Sequence, residues 1–581
     1  MTSAVDPNAM LAEADQRQLA GDISGALVLY DRLIGLAPGF WPAHANRGLA
    51  LAVIGETLAA RAGFRRSIVL EPMAAPALRN LADSLQADEP ETAHSVARAL
   101  VAAAPEAPDS WFSLGCIELA RSRPGPADRS LRRALALAPS FAEAVLAFGT
   151  TRPETGLTWL RRAIAGSVAP GPMITLARQT AVIGALQESC RLLRRAIAID
   201  PGQGDAAIEL TAAIDSASAT VELHRWARRA LALVPGSVMA RSNLGRAELG
   251  LGHLADAERS FGEAIRLMPD LAEAHFNRAT PLFLLGRTED AWDEYEWRWR
   301  IDRFEKPPSA APRWSGEPLA GRRLLVHEEQ GLGDTLQFVR YLPLIASEPG
   351  SVSLLCNPRL VRLLRGSFPD VAISPKPAIP DHDLIVPLLS LPRALGRTRG
   401  APPPAPYLLR PESARIETSG RLKVGLVWAG SSTHPRDQDR SIPLEQLRPW
   451  FDEPDVAWFS YQVGPRQSDI AELGLEARLP DLGRLQPDLY EAARVLAGLD
   501  LLITVDTAAC HLAGALGFPV WLLLAQVPDW RWGMTGATTS WYSSMRLFRQ
   551  PERGAWQPVI REVRAALAEA LAGRPERSLA P

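Results

Sequence analysis

The hydrophobic pattern changes near residue 300. Beyond it, short unbroken apolar runs alternate with amphipathic stretches. Leu501–Val505 is one such run. It stops at Asp506-Thr507, a small-residue helix follows, and a second run resumes after Gly517-Phe518-Pro519. Leu324–His327 opens a similar unit, followed by Glu328-Glu329-Gln330-Gly331-Leu332-Gly333-Asp334 and a further helical stretch. Runs of this length without alternation suit strands buried on both faces, and strand–helix alternation predicts parallel sheets with crossover helices. Further strands are expected at Val352–Cys356, Val371–Ile373, Leu384–Val386, Lys423–Trp428, Trp458–Tyr461 and Val520–Leu524. A proline-rich hinge, Ala401–Pro406, divides a lobe at 321–407 from a second at 408–581. A C-terminal helix over about 556–571 is expected to pack back across that hinge.

Residues 1–300 read differently. They are rich in Ala, Leu and Arg, and Pro38, Pro72, Pro105, Pro139, Pro170, Pro201, Pro235 and Pro269 recur at intervals of 31 to 34 residues. Proline ends one helical hairpin and starts the next, and a period near 34 marks tetratricopeptide (TPR) helix pairs. Leu244, Gly245, Gly252, Ala257, Phe261 and Ala264 match that pattern, as do Trp111, Leu114 and Gly115, and Gly21, Ala26 and Tyr30. Repeats between 150 and 225 are expected to be degenerate. The fold class expected is an α-solenoid followed, after a linker at 301–320, by an α/β domain. A TPR array makes a groove for a polypeptide, which implies a protein partner. The aromatic end of the array, Trp292, Tyr295, Trp297 and Trp299, suits a cap packed on the next domain.

The strand-to-helix junctions carry the candidate chemistry. The first N–H groups of a helix lack helical partners and the macrodipole is positive there, so each junction is an anion site. Gly331 and Gly333 let backbone approach a ligand. Asp334 suits two roles, an N-cap or a general base facing a cleft. Gln330 and Gln337 suit either hydrogen bonding to a sugar or a place at the surface. At the other junction Thr507 and His511 share a helix face, Asp506 can cap the helix, and His511 suits either a phosphate contact or a core position. The loop Trp428–Pro443 offers Ser431, Ser432, Thr433, His434, Arg436 and Arg440, and arginine matches phosphate oxygens bidentately. No metal centre is expected. Asp381-His382-Asp383 reads as a turn, Asp437-Gln438-Asp439 sits among arginines, and neither has further clustered ligands.

Composition narrows the classes. A net charge of −2 with no basic tract argues against nucleic acid or an anionic membrane as the main partner. Cys116, Cys190, Cys356 and Cys510 lie far apart and read as reduced thiols. The start MTSAVDPNAMLAEADQ lacks the features of a secretion signal, and no apolar run is long enough to span a bilayer, so a cytoplasmic location is expected.

The motifs EEQGLGDTLQFVRY, RSIP, VDTAACHLAGALGFPVW, PDWRW and WYSSMRLFRQ occur in that order. In this combination Gly321–Val563 resembles the heptosyltransferase-like (family 9) glycosyltransferases, which have a GT-B fold of two Rossmann-like lobes. The full layout resembles bacterial proteins joining TPR repeats to such a domain, some of which glycosylate flagellin subunits. The resemblance implies a metal-independent, inverting transfer from a nucleotide-sugar to a protein hydroxyl, with no other cofactor. It implies Asp334 as base. Arg440-Ser441-Ile442-Pro443 would stand for the family's Lys-x-Trp-Pro, and Asp506-Thr507-Ala508…His511 for its pyrophosphate segment, with alanine in place of glycine. Trp530, Trp532 and Trp541 would wall the nucleotide site or fill core. The short first lobe implies that the TPR groove supplies acceptor contacts. Two other readings remain: a TPR adaptor with an inactive nucleotide-binding domain, and a lipopolysaccharide glycosyltransferase.

Overall fold

The computed structural model of the protein describes residues 6–138, 170–214 and 220–572, apart from 183, 347–350, 419 and 435; between 138 and 170 it describes only 141, 143, 144 and 147. The chain divides into two compact units, Met1–Ala213 and Ile214–Pro581. Pro139 and, from the stretch expected to hold degenerate repeats, residues 150–169, 183 and 215–219 lie outside the described residues.

The first unit is a helical-repeat solenoid. Its helices run Pro7–Leu19, Ile23–Leu36, Trp41–Val53, Thr57–Leu70, Ala75–Leu85, Pro90–Ala103, Pro108–Ala120 and Pro124–Leu137, then Pro170–Val182, Leu186–Ile199 and Gly204–Ala213. Most pack on the next helix in sequence, and several also on the next but one, as stacked hairpins must. Helices of the same kind continue inside the second unit, from Thr220–Leu233 to Thr288–Tyr295.

The repeat is visible in its contacts. Gly48, Gly115 and Gly245 face Phe64, Leu131 and Phe261, each sixteen residues on, and a Cβ at the glycines would lie 2.8, 2.7 and 2.9 Å from those side chains. The small residue is what allows the two helices of a hairpin to close. Ser130 donates to buried Glu118 and Ser260 to buried Glu248, at 2.8 and 2.6 Å, both across twelve residues. The repeat prolines have a second use beyond ending helices. The carbonyls of Pro38, Pro105, Pro235 and Pro269 accept hydrogen bonds from His44, Trp111, Arg241 and His275, each six residues later, at 3.0, 2.7, 3.5 and 2.9 Å.

The second unit adds two parallel sheets. The first has the order β3-β2-β1-β4, with β1 Leu324–His327, β2 Val352–Cys356, β3 Ala372–Pro375 and β4 Leu384–Pro387. The second has the order β6-β5-β7-β8-β9, with β5 Leu422–Val427, β6 Val456–Ser460, β7 Leu501–Val505, β8 Val520–Leu524 and β9 Met545–Arg549. β1, β2, β4, β7 and β8 are buried at every position, which explains why their runs are apolar at nearly every position. The expected linker is partly structured, since Pro312 and Trp314 exchange backbone hydrogen bonds with Ile385 on β4.

One core joins the last repeat helices to both sheets. Phe283, Trp292 and Tyr295 pack with Leu324, Phe338, Leu512 and Leu522. This is why no boundary between compact units falls near residue 300. Arg298, fully buried in the turn after the last repeat helix, donates to Glu329 at 2.8 and 2.7 Å and to Ser390 at 2.7 Å. A second core covers the other face of the second sheet, with Trp428, Trp450, Trp458 and Trp521. The C-terminal helix Trp556–Ala572 belongs to this core through Val559, Ile560, Val563 and Leu567, and does not serve to bridge the hinge. The reason is its apolar stripe, which the second sheet needs as a cover.

Candidate functional site

The first junction follows β1. Glu328 and Glu329 are buried, and Gln330 takes a φ of 62°, rare for a residue with a Cβ. Its amide is not offered to a ligand; it donates to the Tyr295 hydroxyl at 2.6 Å. Gly331 is the N-cap of the helix Leu332–Phe338. Asp334 sits in the first turn, and its Oδ2 accepts the Gly331 N–H at 2.9 Å. The carboxylate therefore does perform a capping task, from the third helical position. Its other oxygen accepts from Arg531 Nη2 at 2.5 Å, and 21% of the side chain stays exposed. Burial raises the Asp334 carboxyl above its ordinary 3.8, against the pull of Arg531 and the Gly331 N–H.

The second junction follows β7. Thr507 is the N-cap of the helix Ala508–Ala515, without a side-chain capping bond. Thr507 Oγ1 lies 3.4 Å from Thr504 Oγ1. Asp506 does not cap the helix. Its carboxyl faces inward, 3.9 Å from Cys510 Sγ, and its backbone carbonyl accepts from Arg440 Nη1 at 3.0 Å. Burial, then the neighbouring Asp529, raises Asp506 to about 6, while Trp532, Arg440 and Arg531 pull the other way. Arg440 makes a long ion pair with Asp437, at 3.5 Å, and its Nε has no hydrogen-bond partner among the described residues.

The two helix starts touch. A Cβ at Gly333 would lie 2.9 Å from His511 Cδ2 and 3.4 Å from Ala508 Cα. His511 is 6% exposed, bonds the Tyr542 hydroxyl through Nδ1 at 3.0 Å, and stacks on Trp532. Burial, then Arg531, lowers it to about 3, so the ring is neutral. Of the two sequence readings for His511, the structure selects the core position. Cys510 donates to the Thr507 carbonyl at 2.9 Å, and burial raises its thiol well above its ordinary range. Asp506, Cys510 and His511 bring ligand-type atoms within 4.8 Å of one another. A protonated thiol and a histidine already engaged by Tyr542 suit that group poorly to a cation.

Arg531 ties the helix after β1 to the segment after β8, and sequence reading missed it. It donates to Asp334, to Asp529 Oδ1 at 2.8 Å and to Gln337 Oε1 at 2.5 Å. Gln337 is fully buried, with Nε2 unpartnered among the described residues, so it is neither a surface residue nor exposed to a sugar. The PDWRW motif was the available signal, since one cation among tryptophans seldom lacks a carboxylate partner.

The loop after β5 approaches from the side. Arg436 donates to the Val527 carbonyl at 2.6 Å. Ser431 and Ser432 are exposed; the Ser431 hydroxyl bonds Thr433, and its backbone carbonyl accepts from the His434 N–H at 3.0 Å. The structure thus gathers Gly331, Gly333, Asp334, Arg440, Asp506, Thr507, Ala508 and His511, and leaves Ser431 and Ser432 at the rim. Asp383 pairs with Arg323, and Asp439 with Arg436 and Arg553, so both acidic triplets are used in ion pairs. Trp530 stacks on Phe283, and together with Trp292, Trp541, Arg531 and Arg397 they line a cavity of about 270 Å³. Trp532 is buried against His511 instead.

No known family model matches the chain. Protein FlbA of Caulobacter vibrioides is 31% identical over 363 residues, covering 56% of this chain and 60% of that protein. The chain therefore spans less than two thirds of the length of that relative. Among solved structures, a chain of the APC/C hetero-tetramer Cut9–Hcn1 matches at TM-score 0.31 and 17% identity, over 48% of this chain and 56% of that one. MamA (41-end) from Desulfovibrio magneticus RS-1 matches at TM-score 0.26 and 18% identity, over 27% of this chain and 93% of that one. Scores this low carry no argument. No described helix is long and apolar enough to cross a membrane.

Proposed function

We propose that the protein is a glycosyltransferase of GT-B architecture, moving a sugar from a nucleotide-sugar to a Ser or Thr hydroxyl of a protein acceptor. The observation carrying this reading is the direct packing of the two strand-to-helix junctions, in which Gly333, next in the chain to Asp334, lies against Ala508 and His511 of the second helix start. In the proposed step, Asp334 takes the hydroxyl proton as the oxygen bonds to the anomeric carbon. The bond from that carbon to the phosphate oxygen breaks, and its electron pair leaves with the nucleoside diphosphate. Arg440 and the helix N-terminus at Thr507 stabilise that charge. His511 holds the two helices together and carries no charge.

The repeats present the acceptor. Flagellin is the acceptor to test first, on the strength of the sequence resemblance alone. The test is to incubate the purified chain with a nucleotide-sugar panel and flagellin, and to follow nucleoside diphosphate release and acceptor mass. A fixed mass increment supports the reading. Nucleotide binding with neither release nor increment would favour an adaptor, for which the closed Asp334–Arg531 pair is the supporting observation.

A further inference from the structure

Arg531 has a position that a merely structural arginine would not need. Its guanidinium is spread over groups from two parts of the fold: Asp334 and Gln337 on the helix after β1, and Asp529 on the segment after β8. Only 7% of its side chain is exposed, and the ring of Trp530 lies 4.5 Å from its Cζ. Gln337 and Asp529 hold the fork from two sides, which leaves Nη2 aimed at one oxygen of Asp334. The other oxygen is held by the Gly331 N–H. Both carboxylate oxygens of the assigned base therefore have one partner each, and the carboxylate plane is set by them.

We propose that Arg531 is the positioning residue for Asp334: it orients the carboxylate and sets the pH at which it becomes able to accept a proton. This deepens the transferase reading and rests on it. The charged and titratable groups facing the pair are Asp529 and Tyr295, with Asp506 and His511 on the neighbouring helix start. Tyr295 and His511 are neutral at working pH, since burial raises the one and lowers the other. Arg531 is thus the cation in direct contact with Asp334. A cation at hydrogen-bond distance favours the ionised carboxylate, so its loss moves the titration upward by about one pH unit or more.

The test compares wild type with Arg531→Met, Arg531→Lys and Asp334→Asn, using full-length protein, nucleoside diphosphate release from the active nucleotide-sugar, and melting curves for folding. The expected result is a wild-type rate that rises with pH along an acid limb. In Arg531→Met that limb moves up by about one unit or more and kcat falls at least tenfold, with KM for the donor little changed. Arg531→Lys returns the limb toward the wild-type position. If Arg531→Met melts below assay temperature, Arg531→Gln, neutral but still able to donate a hydrogen bond, takes its place in the comparison. An unmoved limb in a folded Arg531 variant that has lost the charge overturns this inference while leaving the transferase reading intact. Wild-type turnover that survives Asp334→Asn overturns the assignment of the base itself, and with it the role given to Arg531.

Discussion

The two strand-to-helix junctions are built alike and treat their aspartates differently. Asp334 lies in the first turn, capped onto Gly331 N–H and paired with Arg531. Asp506 lies just before the N-cap, turned inward toward Cys510, with burial and Asp529 raising it to about 6. One carboxylate accepts from two donors, the Gly331 N–H and Arg531; the other lies beside Cys510, while its backbone carbonyl accepts from Arg440. The lesson is that a shared local motif does not fix chemical role. Partners supplied from elsewhere in the fold decide which acid is available as a base.

The largest expected effect tests that division directly. Asp334→Asn should lower turnover by about 10²–10⁴-fold, the usual worth of a general base, with nucleoside diphosphate binding kept in calorimetry. Asp506→Asn should keep turnover within about tenfold of wild type. Equal losses in both would erase the distinction.

Arg440→Ala should weaken nucleoside diphosphate binding by about 10–100-fold, since hydrogen bonds to charged groups are worth about 1.5–3 kcal/mol each. Unchanged affinity would move the phosphate site away from the second junction. Gly333→Ala should cost about 1–3 kcal/mol in urea denaturation, because its Cβ would meet His511 at 2.9 Å and backbone at 3.4 Å. A neutral result would show that the helix starts separate easily.

The smallest effect lies in pH dependence. Asp506 binds its proton more tightly in the folded chain than at its ordinary value of 3.8. Its contribution is therefore full below about 3.8 and is lost as pH rises through about 6. Asp506→Asn should stabilise the protein by about 1 kcal/mol at pH 8 and by less at pH 4.5. His511 acts oppositely. Its folded value is lowered from 6.5 to about 3, so the stability it contributes is present above 6.5 and is lost as pH falls toward about 3. His511→Gln should flatten the acid side of the stability profile, if the variant remains folded at neutral pH.

Much of this architecture was legible in the chain. β1, β2, β7 and β8 are apolar at nearly every position, so their burial could be read from pattern alone. β9, Met545–Arg549, was missed because Arg546 and Arg549 interrupt its apolar run at the sheet edge. The cap role of Asp334 was legible because it acts over three residues. Its pairing with Arg531 spans 197 residues, and no local spacing announces it. His511 illustrates the same limit, since i and i+4 spacing placed it beside Thr507 but could not reveal Tyr542 and Trp532 around it.

By itself the amino-acid order determined the periodic helices, the buried parallel strands and the two strand-to-helix junctions. Each depends on side-chain rhythm or on turn geometry within a few residues, and those act the same way in any surrounding. The tertiary structure alone decided that the last repeats share a core with the sheets, that Gly333 meets His511, and that Arg531 falls to Asp334. Those outcomes depend on which distant surfaces bury each other, and desolvation then decides which ionised groups must pair.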